Sequence, residues 1–287
     1  MEQLMEEYRQ HLINQCEAGM EGNKKIKVLE INMYMTNKCN LYCIMCPFIS
    51  KEYCNKTYFN KEPYFATLKD VKNILLRKKV FGKRQEHVKF NFFMGETLLN
   101  PEILKICKYI KNKYVNSEIT ILSNGTIPPV DEEIVKYIDI LGFSLDGGTK
   151  EVFESIRTPA NFEHVVDTIH KWVRARNKYN TNLKFRTSTT LSMLNYMDLP
   201  NIVRTVGEII RTEGGEWDSI YCQPVVIEDY QRQNLSKITL DHVNCSTWKV
   251  ILEETERLVE EYGIRLDIPQ AIYEMSPYDT KLENKDR

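Results

Sequence analysis

The sequence predicts an α/β protein, a partial (β/α)6 TIM-like barrel preceded by an N-terminal helix, and three observations carry that expectation. Six apolar or β-branched runs of strand length recur along the chain, helical patterns separate them, and a cysteine-rich segment directly follows the first run. Strands each followed by a helix pair in parallel through right-handed crossovers. Six such units are fewer than the eight of a closed barrel, so the barrel is expected to be open.

In chain order, Leu4, Tyr8, Leu12 and Ile13 fall near helical spacing, which predicts a short amphipathic helix in an N-terminal extension over 1–25. The barrel is expected over 26–268. Its strands are predicted at Ile26–Met35, Val88–Met94, Glu118–Leu122, Ile138–Leu145, Leu183–Leu191 and Ile220–Ile227. Its helices are predicted at Leu68–Lys78, Pro101–Tyr114, Asp131–Tyr137, Phe162–Tyr179, Asp198–Glu213 and Val243–Tyr262. Pro101 suits a first helical turn and Asp198 a cap. The tail over 269–287 reads as irregular and polar.

Hydrophobic content of 42% and charged content of 28% in 287 residues describe a globular chain with a sizeable core. No run approaches the roughly 18 apolar residues of a membrane span. The acidic start M-E-Q-L-M-E-E-Y lacks the order of a secretion signal, so a cytoplasmic protein is expected. Eight cysteines in such a compartment favour metal or catalytic roles over disulfides. A net charge of −1 steers the chain to no polyanion, and the basic run from Arg77 to Arg84 reads as a solvated helix end. Membranes and nucleic acids are therefore disfavoured as partners.

The segment C-N-L-Y-C-I-M-C-P places Cys39, Cys43 and Cys46 on the loop after the first strand, at the carboxyl edge of the sheet where parallel α/β folds build active sites. Three thiolates can hold three irons of a cubane cluster that normally takes four, leaving one iron open for chemistry. The competing reading is a structural zinc with Cys54 as fourth ligand, against which stands the lack of a second paired C-x-x-C knuckle. The run K-C-N-L-Y-C-I-M-C-P resembles the cluster loop of the radical S-adenosylmethionine (SAM) superfamily, especially its SPASM/Twitch-type members. The likeness continues in order with M-G-E-T (Met94 to Thr97), S-N-G-T (Ser123 to Thr126) and S-L-D-G (Ser144 to Gly147).

That resemblance implies one 4Fe–4S cluster on Cys39, Cys43 and Cys46, with SAM on the fourth iron and a 5′-deoxyadenosyl radical that takes hydrogen from an organic substrate. It implies that Gly95 and Glu96 hold the SAM ammonium, and that Ser123, Asn124 and Ser144 meet its ribose or carboxylate. Arg157 and Arg186 are candidate carboxylate partners, and Met45 lies where the backbone meets adenine. Met94 departs from the family's glycine at that position. Asp146 and Cys222 are the candidate catalytic groups, the latter as a hydrogen donor on a cavity-lining sixth strand. Cys16 and Cys107 fall in helical patterns and are expected to be buried packing residues, while the five histidines show no metal-binding spacing. No cysteine follows Cys245, so the chain reads either as a member without auxiliary clusters or as a fragment ending just before them, and Cys222 with Cys245 offer too few thiolates for a Twitch-like cluster. The expected partners are an electron donor such as flavodoxin or ferredoxin and a small-molecule, sugar-like, nucleoside-like or peptide substrate, with little room before residue 26 for a peptide-recognition domain. The alternative function is a non-catalytic iron–sulfur or zinc-binding regulatory protein on the same fold.

Overall fold

Strict alternation of buried and half-exposed residues along His87–Phe92 and Ser117–Ser123 sets the architecture. One face of each strand packs on helices and the other does not. The computed structural model describes residues 28–46, 62–76, 87–224, 240, 243–269 and 272. The expected N-terminal helix, the basic run, Cys16, Cys54 and most of the tail lie outside these residues.

Seven strands form one parallel sheet in sequential order: β1 (Val28–Met33), β2 (His87–Phe92), β3 (Ser117–Ser123), β4 (Ile140–Ser144), β5 (Lys184–Leu191), β6 (Ser219–Pro224) and β7 (Arg265–Asp267). The described helices are α1 (Leu68–Leu76), α2 (Ile103–Lys113), α3 (Lys150–Ile156), α4 (Phe162–Tyr179), α5 (Leu199–Glu213) and α6 (Cys245–Tyr262). This is the α/β arrangement of an open, partial barrel, with corrections in detail. The sheet has a seventh strand, only three residues of R-L-D with no β-branched run to announce it. The segment expected as a helix at Asp131–Tyr137 is a 3-10 turn at Glu132–Lys136, started by Asp131, whose side chain accepts from the Glu133 amide. Pro101 lies ahead of α2 rather than in its first turn.

The helix-facing side of the sheet carries the core. Phe143 and Phe185 stack at 5.8 Å, Trp217 stacks on Phe185 at 5.5 Å, and the Arg176 guanidinium of α4 covers the same ring. Trp217 donates its indole N–H to Thr187 Oγ1 at 3.1 Å, which satisfies a polar pair inside that layer. Cys107 is fully buried in α2, as expected.

Asp198 caps a helix, but not its own. Its Oδ2 accepts from the backbone amides of Gly148 (2.6 Å) and Thr149 (3.0 Å), at the start of α3. A carboxylate there satisfies helix-terminal N–H groups and meets the positive end of the helix dipole. The contact ties the loop after β4 to the start of α5.

Candidate metal and cofactor site

The loop after β1 is held in place on two sides. Before the cysteines, Thr36 is buried; its Oγ1 donates to Tyr64 O and accepts from Lys38 N. Asn100 reaches under the loop and donates to both Met35 O and Ala66 O. Beyond Cys39, the amides of Tyr42 and Ile44 donate to Thr158 O (2.6 Å) and Ile156 O (3.0 Å), at the end of α3.

The glycine of M-G-E-T has a steric reason. Gly95 has φ +61°, and a Cβ there would lie 2.5 Å from Lys38 O and 2.9 Å from Thr36 O. The loops after β1 and β2 thus touch backbone to backbone, and only a residue without a side chain fits. Met94 adopts φ +76°, the left-handed conformation a glycine would take, so the departure from the family pattern leaves the backbone path glycine-like.

Glu96 is fully buried at this contact. Its amide donates to Lys38 O at 2.7 Å; its carboxylate accepts from Asn124 N at 2.6 Å and Leu98 N at 3.1 Å. Burial pushes its pKa up to about 7, although these hydrogen bonds oppose the rise. Among the described residues Glu96 forms no ion pair, and a buried carboxylate of that kind can accept a cationic group.

Asn124 ties the turn after β3 to the first cysteine. Its Nδ2 donates to Cys39 Sγ at 3.6 Å and to Asn40 Oδ1 at 2.8 Å, and its Oδ1 accepts from Thr126 N and Oγ1. Asn40 Nδ2 closes the ring by donating to Thr126 Oγ1. Ser123 is buried, and its Oγ accepts from the Gly125 amide. Both residues shape the turn after β3, from which Asn124 reaches Glu96 on the loop after β2 and Cys39 on the loop after β1.

Arg157 and Asp146 form a buried ion pair on the other side of the cysteines. Asp146 Oδ2 lies 2.6 Å from both Nε and Nη2 of Arg157, and its Oδ1 accepts from Thr190 N. Asn195 Nδ2 donates to Asp146 O and Thr190 O, which locks the ends of β4 and β5 together. The third face of the guanidinium donates through Nη1 to Cys43 Sγ at 3.7 Å. Asp146, expected as a catalytic group, has its carboxylate engaged in positioning Arg157.

Burial pushes the Cys43 thiol up to about 12 against the pull of Arg157, and raises Cys39 as well. Thiols so raised are poor free nucleophiles and ionise only when a metal takes them. Among the described residues no three Cys, His, Asp or Glu side chains converge tightly enough for one metal ion. The three thiols nevertheless lie on one loop and bear on one another electrostatically. Amide and guanidinium N–H donors aimed at two of the sulfurs fit thiolate ligands of such a cluster.

Met45 lies half-buried in the turn between Cys43 and Cys46 and packs against the core. Ser144 ends β4 on the face away from the helices, in register with Ser188. Two expectations place differently. Arg186 sits low on β5, four residues before Thr190, and its guanidinium pairs with Asp218 at 3.1 Å rather than reaching the cysteines. Cys222 is fully buried on the helix-facing side of β6, in register with Thr189, because strand alternation turns it away from Tyr221 and Gln223. Its burial among core residues removes it from the expected cavity. Asn40, Asn100 and Asn195 were not singled out by sequence; single asparagines in loops carry no periodic signal.

A family model described as the Radical SAM superfamily matches residues 33–206. A curated relative, the uncharacterized protein MJ0907 of Methanocaldococcus jannaschii, is 31% identical over 172 residues, covering 57% of this chain and 54% of that one. Among solved structures, Streptococcus suis SuiB bound to S-adenosylmethionine aligns with a TM-score of 0.58 at 16% identity, covering 87% of this chain and 52% of that chain. Native anSMEcpe with bound AdoMet aligns with a TM-score of 0.55 at 16% identity, covering 84% and 64%. The chain spans about half the length of the first two and less than two thirds of the third. The structural likeness is one of fold.

Proposed function

This chain belongs to the radical SAM superfamily, and we propose that it is an enzyme that cleaves SAM reductively at a single 4Fe–4S cluster held by Cys39, Cys43 and Cys46. When bound, the cluster and SAM supply a 5′-deoxyadenosyl radical that takes a hydrogen atom from an organic substrate. The observation that carries this reading is the placement of three thiols on one loop, two of them receiving N–H donors from Asn124 and Arg157, beside the buried carboxylate of Glu96.

The chain's own residues divide the work. Glu96 accepts from the SAM ammonium, and Gly95 lets the backbone come close enough for it to do so. Ser144, at the carboxyl end of β4, is placed to meet the carboxylate or ribose, and the Met45 backbone to meet adenine. Asn124 and Arg157 hold the loop and donate to sulfur, which stabilises thiolate charge in a site that excludes water. Asp146 keeps Arg157 in place. Radical generation belongs to the cofactor; the protein orients and shields. An external one-electron donor of the flavodoxin or ferredoxin kind completes the system, and the substrate is a small molecule or peptide.

The test is direct. Anaerobic reconstitution, reduction and addition of SAM should yield 5′-deoxyadenosine, and Cys43→Ala should abolish it. No cleavage at full iron loading, or one tightly bound zinc and no iron after anaerobic purification, would overturn the reading.

A further inference from the structure

A second polar cluster lies on the side of the sheet away from the helices, toward the amino ends of β5, β6 and β7, and the proposed SAM chemistry makes no use of it. Asp218, just before β6, is approached by three cations: Arg186 at 3.1 Å, and Lys184 and Arg265 each at 3.8 Å. Arg265 also pairs with Asp267 at 2.9 Å. Three cations against two carboxylates leave one positive charge in excess.

Two polar atoms here are buried with no hydrogen-bond partner among the described residues, Arg186 Nε and Ser219 Oγ. They are neighbours. Arg186 on β5 is the register partner of Ser219 on β6, and Ser219 is the partner of Arg265 on β7. Register partners share a face at about 4.8 Å spacing, so the three residues leave the sheet in one row, and both guanidinium groups reach Asp218. Buried donors without partners are rare and costly, and two adjacent ones under excess positive charge call for an acceptor.

The rows above continue the polarity. Ser144, Ser188, Tyr221 and Asp267 form the next row, Asp267 being the carboxylate paired with Arg265, and Thr190 and Gln223 the one after, where the Thr190 amide meets Asp146 beside the cysteines. All-parallel sheets usually bury apolar side chains on both faces. Here one face offers hydroxyls and an amide leading down to cations. Two residues along a strand span about 7 Å and four about 13 Å.

We propose that the row Arg186–Ser219–Arg265 is an oxyanion site that holds the carboxylate or phosphate of a small hydroxylated metabolite, with its body lying along the hydroxyl rows toward the cysteine loop. The assignment of this metabolite as the substrate rests on the function proposed above; the anion site itself does not. Carboxylate and phosphate share the recognition chemistry of charge-assisted N–H and O–H donors.

The test titrates inorganic phosphate and, separately, acetate into the iron-free full chain, followed by isothermal calorimetry and by the fluorescence of Trp217, which adjoins Asp218. One anion should bind saturably, and the preferred one identifies the substrate's charged group. Arg186→Gln should weaken binding by about tenfold and Ser219→Ala by about threefold. Exposed Lys105→Gln should leave it unchanged. If Arg186→Gln fails to fold, Ser219→Ala and Arg265→Gln carry the test. Neither anion saturating, or folded variants at both Arg186 and Ser219 binding like the parent, overturns the proposal. Absence of cleavage in the parent chain would sink the proposed function while leaving the anion measurement standing.

Discussion

Glu96 combines complete burial, three hydrogen bonds and a pKa of about 7. An ammonium ligand prefers the ionised form, so binding below pH 7 must first remove a proton from Glu96. Affinity for SAM should therefore fall as pH drops from 8 to 6, approaching about tenfold per unit at the acid end. Glu96→Gln should weaken binding and flatten the profile. Equilibrium dialysis of the cluster-loaded protein across that range checks both; a flat profile in the parent enzyme counts against Glu96 as the ammonium seat. A second residue-level expectation concerns the ion pair. Replacing Arg157 by Leu leaves Asp146 buried without its counter-charge, which should cost about 3–5 kcal/mol in denaturant unfolding. Asp146→Asn combined with Arg157→Leu should recover part of that loss. Gly95→Ala drives a methyl against Lys38 O and imposes strain at a positive φ, so a loss of roughly 1–3 kcal/mol is expected, with SAM binding impaired. At this scale the sequence motifs placed the cysteine loop, Gly95 and Glu96 side by side, as the structure has them, because the motifs follow consecutive strands of one parallel sheet. The ion pair of Asp146 and the buried side taken by Cys222 were not legible, because a side chain's partner and the side of a strand it takes are fixed by register, and register is a property of neighbouring strands.

At the scale of elements, Asp198 shows how far a cap can act. Asp198→Ala should expose the amides of Gly148 and Thr149 and cost about 1 kcal/mol, with faster hydrogen exchange at the start of α3 and little change within α5. Exchange accelerating only in α5 would show that the cap acts on its own helix after all. Strands of five to eight residues and helices of eleven to eighteen declared themselves by period, as with β5 and α4. The pieces that did not were short. The seven residues of α3 complete barely two turns, the 3-10 turn at Glu132–Lys136 has five, and β7 has three. Elements of that length depend on what they pack against or pair with, and local pattern carries too little of that information.

Over the whole molecule, the open sheet was visible in the alternation of strands and helices, while its polarity on one side acquires meaning only in register. Lys89 lies between Glu30 and Glu118 on neighbouring strands, and Asn91 donates to Asn32 beside it. These are polar rows of the same face that carries Arg186 and Ser219. Among the described residues no helix is long and apolar enough to cross a membrane.

The backbone bonds of Tyr42 and Ile44 to Thr158 and Ile156, with those of the Thr36 side, bear on how the protein matures. A loop gripped at both ends by the completed fold has little conformational freedom left for metal to remove. Unlike small metal-nucleated domains, whose folding and metal binding are one event, this chain is expected to fold first and accept iron into a finished mould. Iron-free protein should then keep slow hydrogen exchange at the amides of Tyr42 and Ile44. Rapid exchange there, recovering only on reconstitution, would mean that the cluster shapes its own cradle.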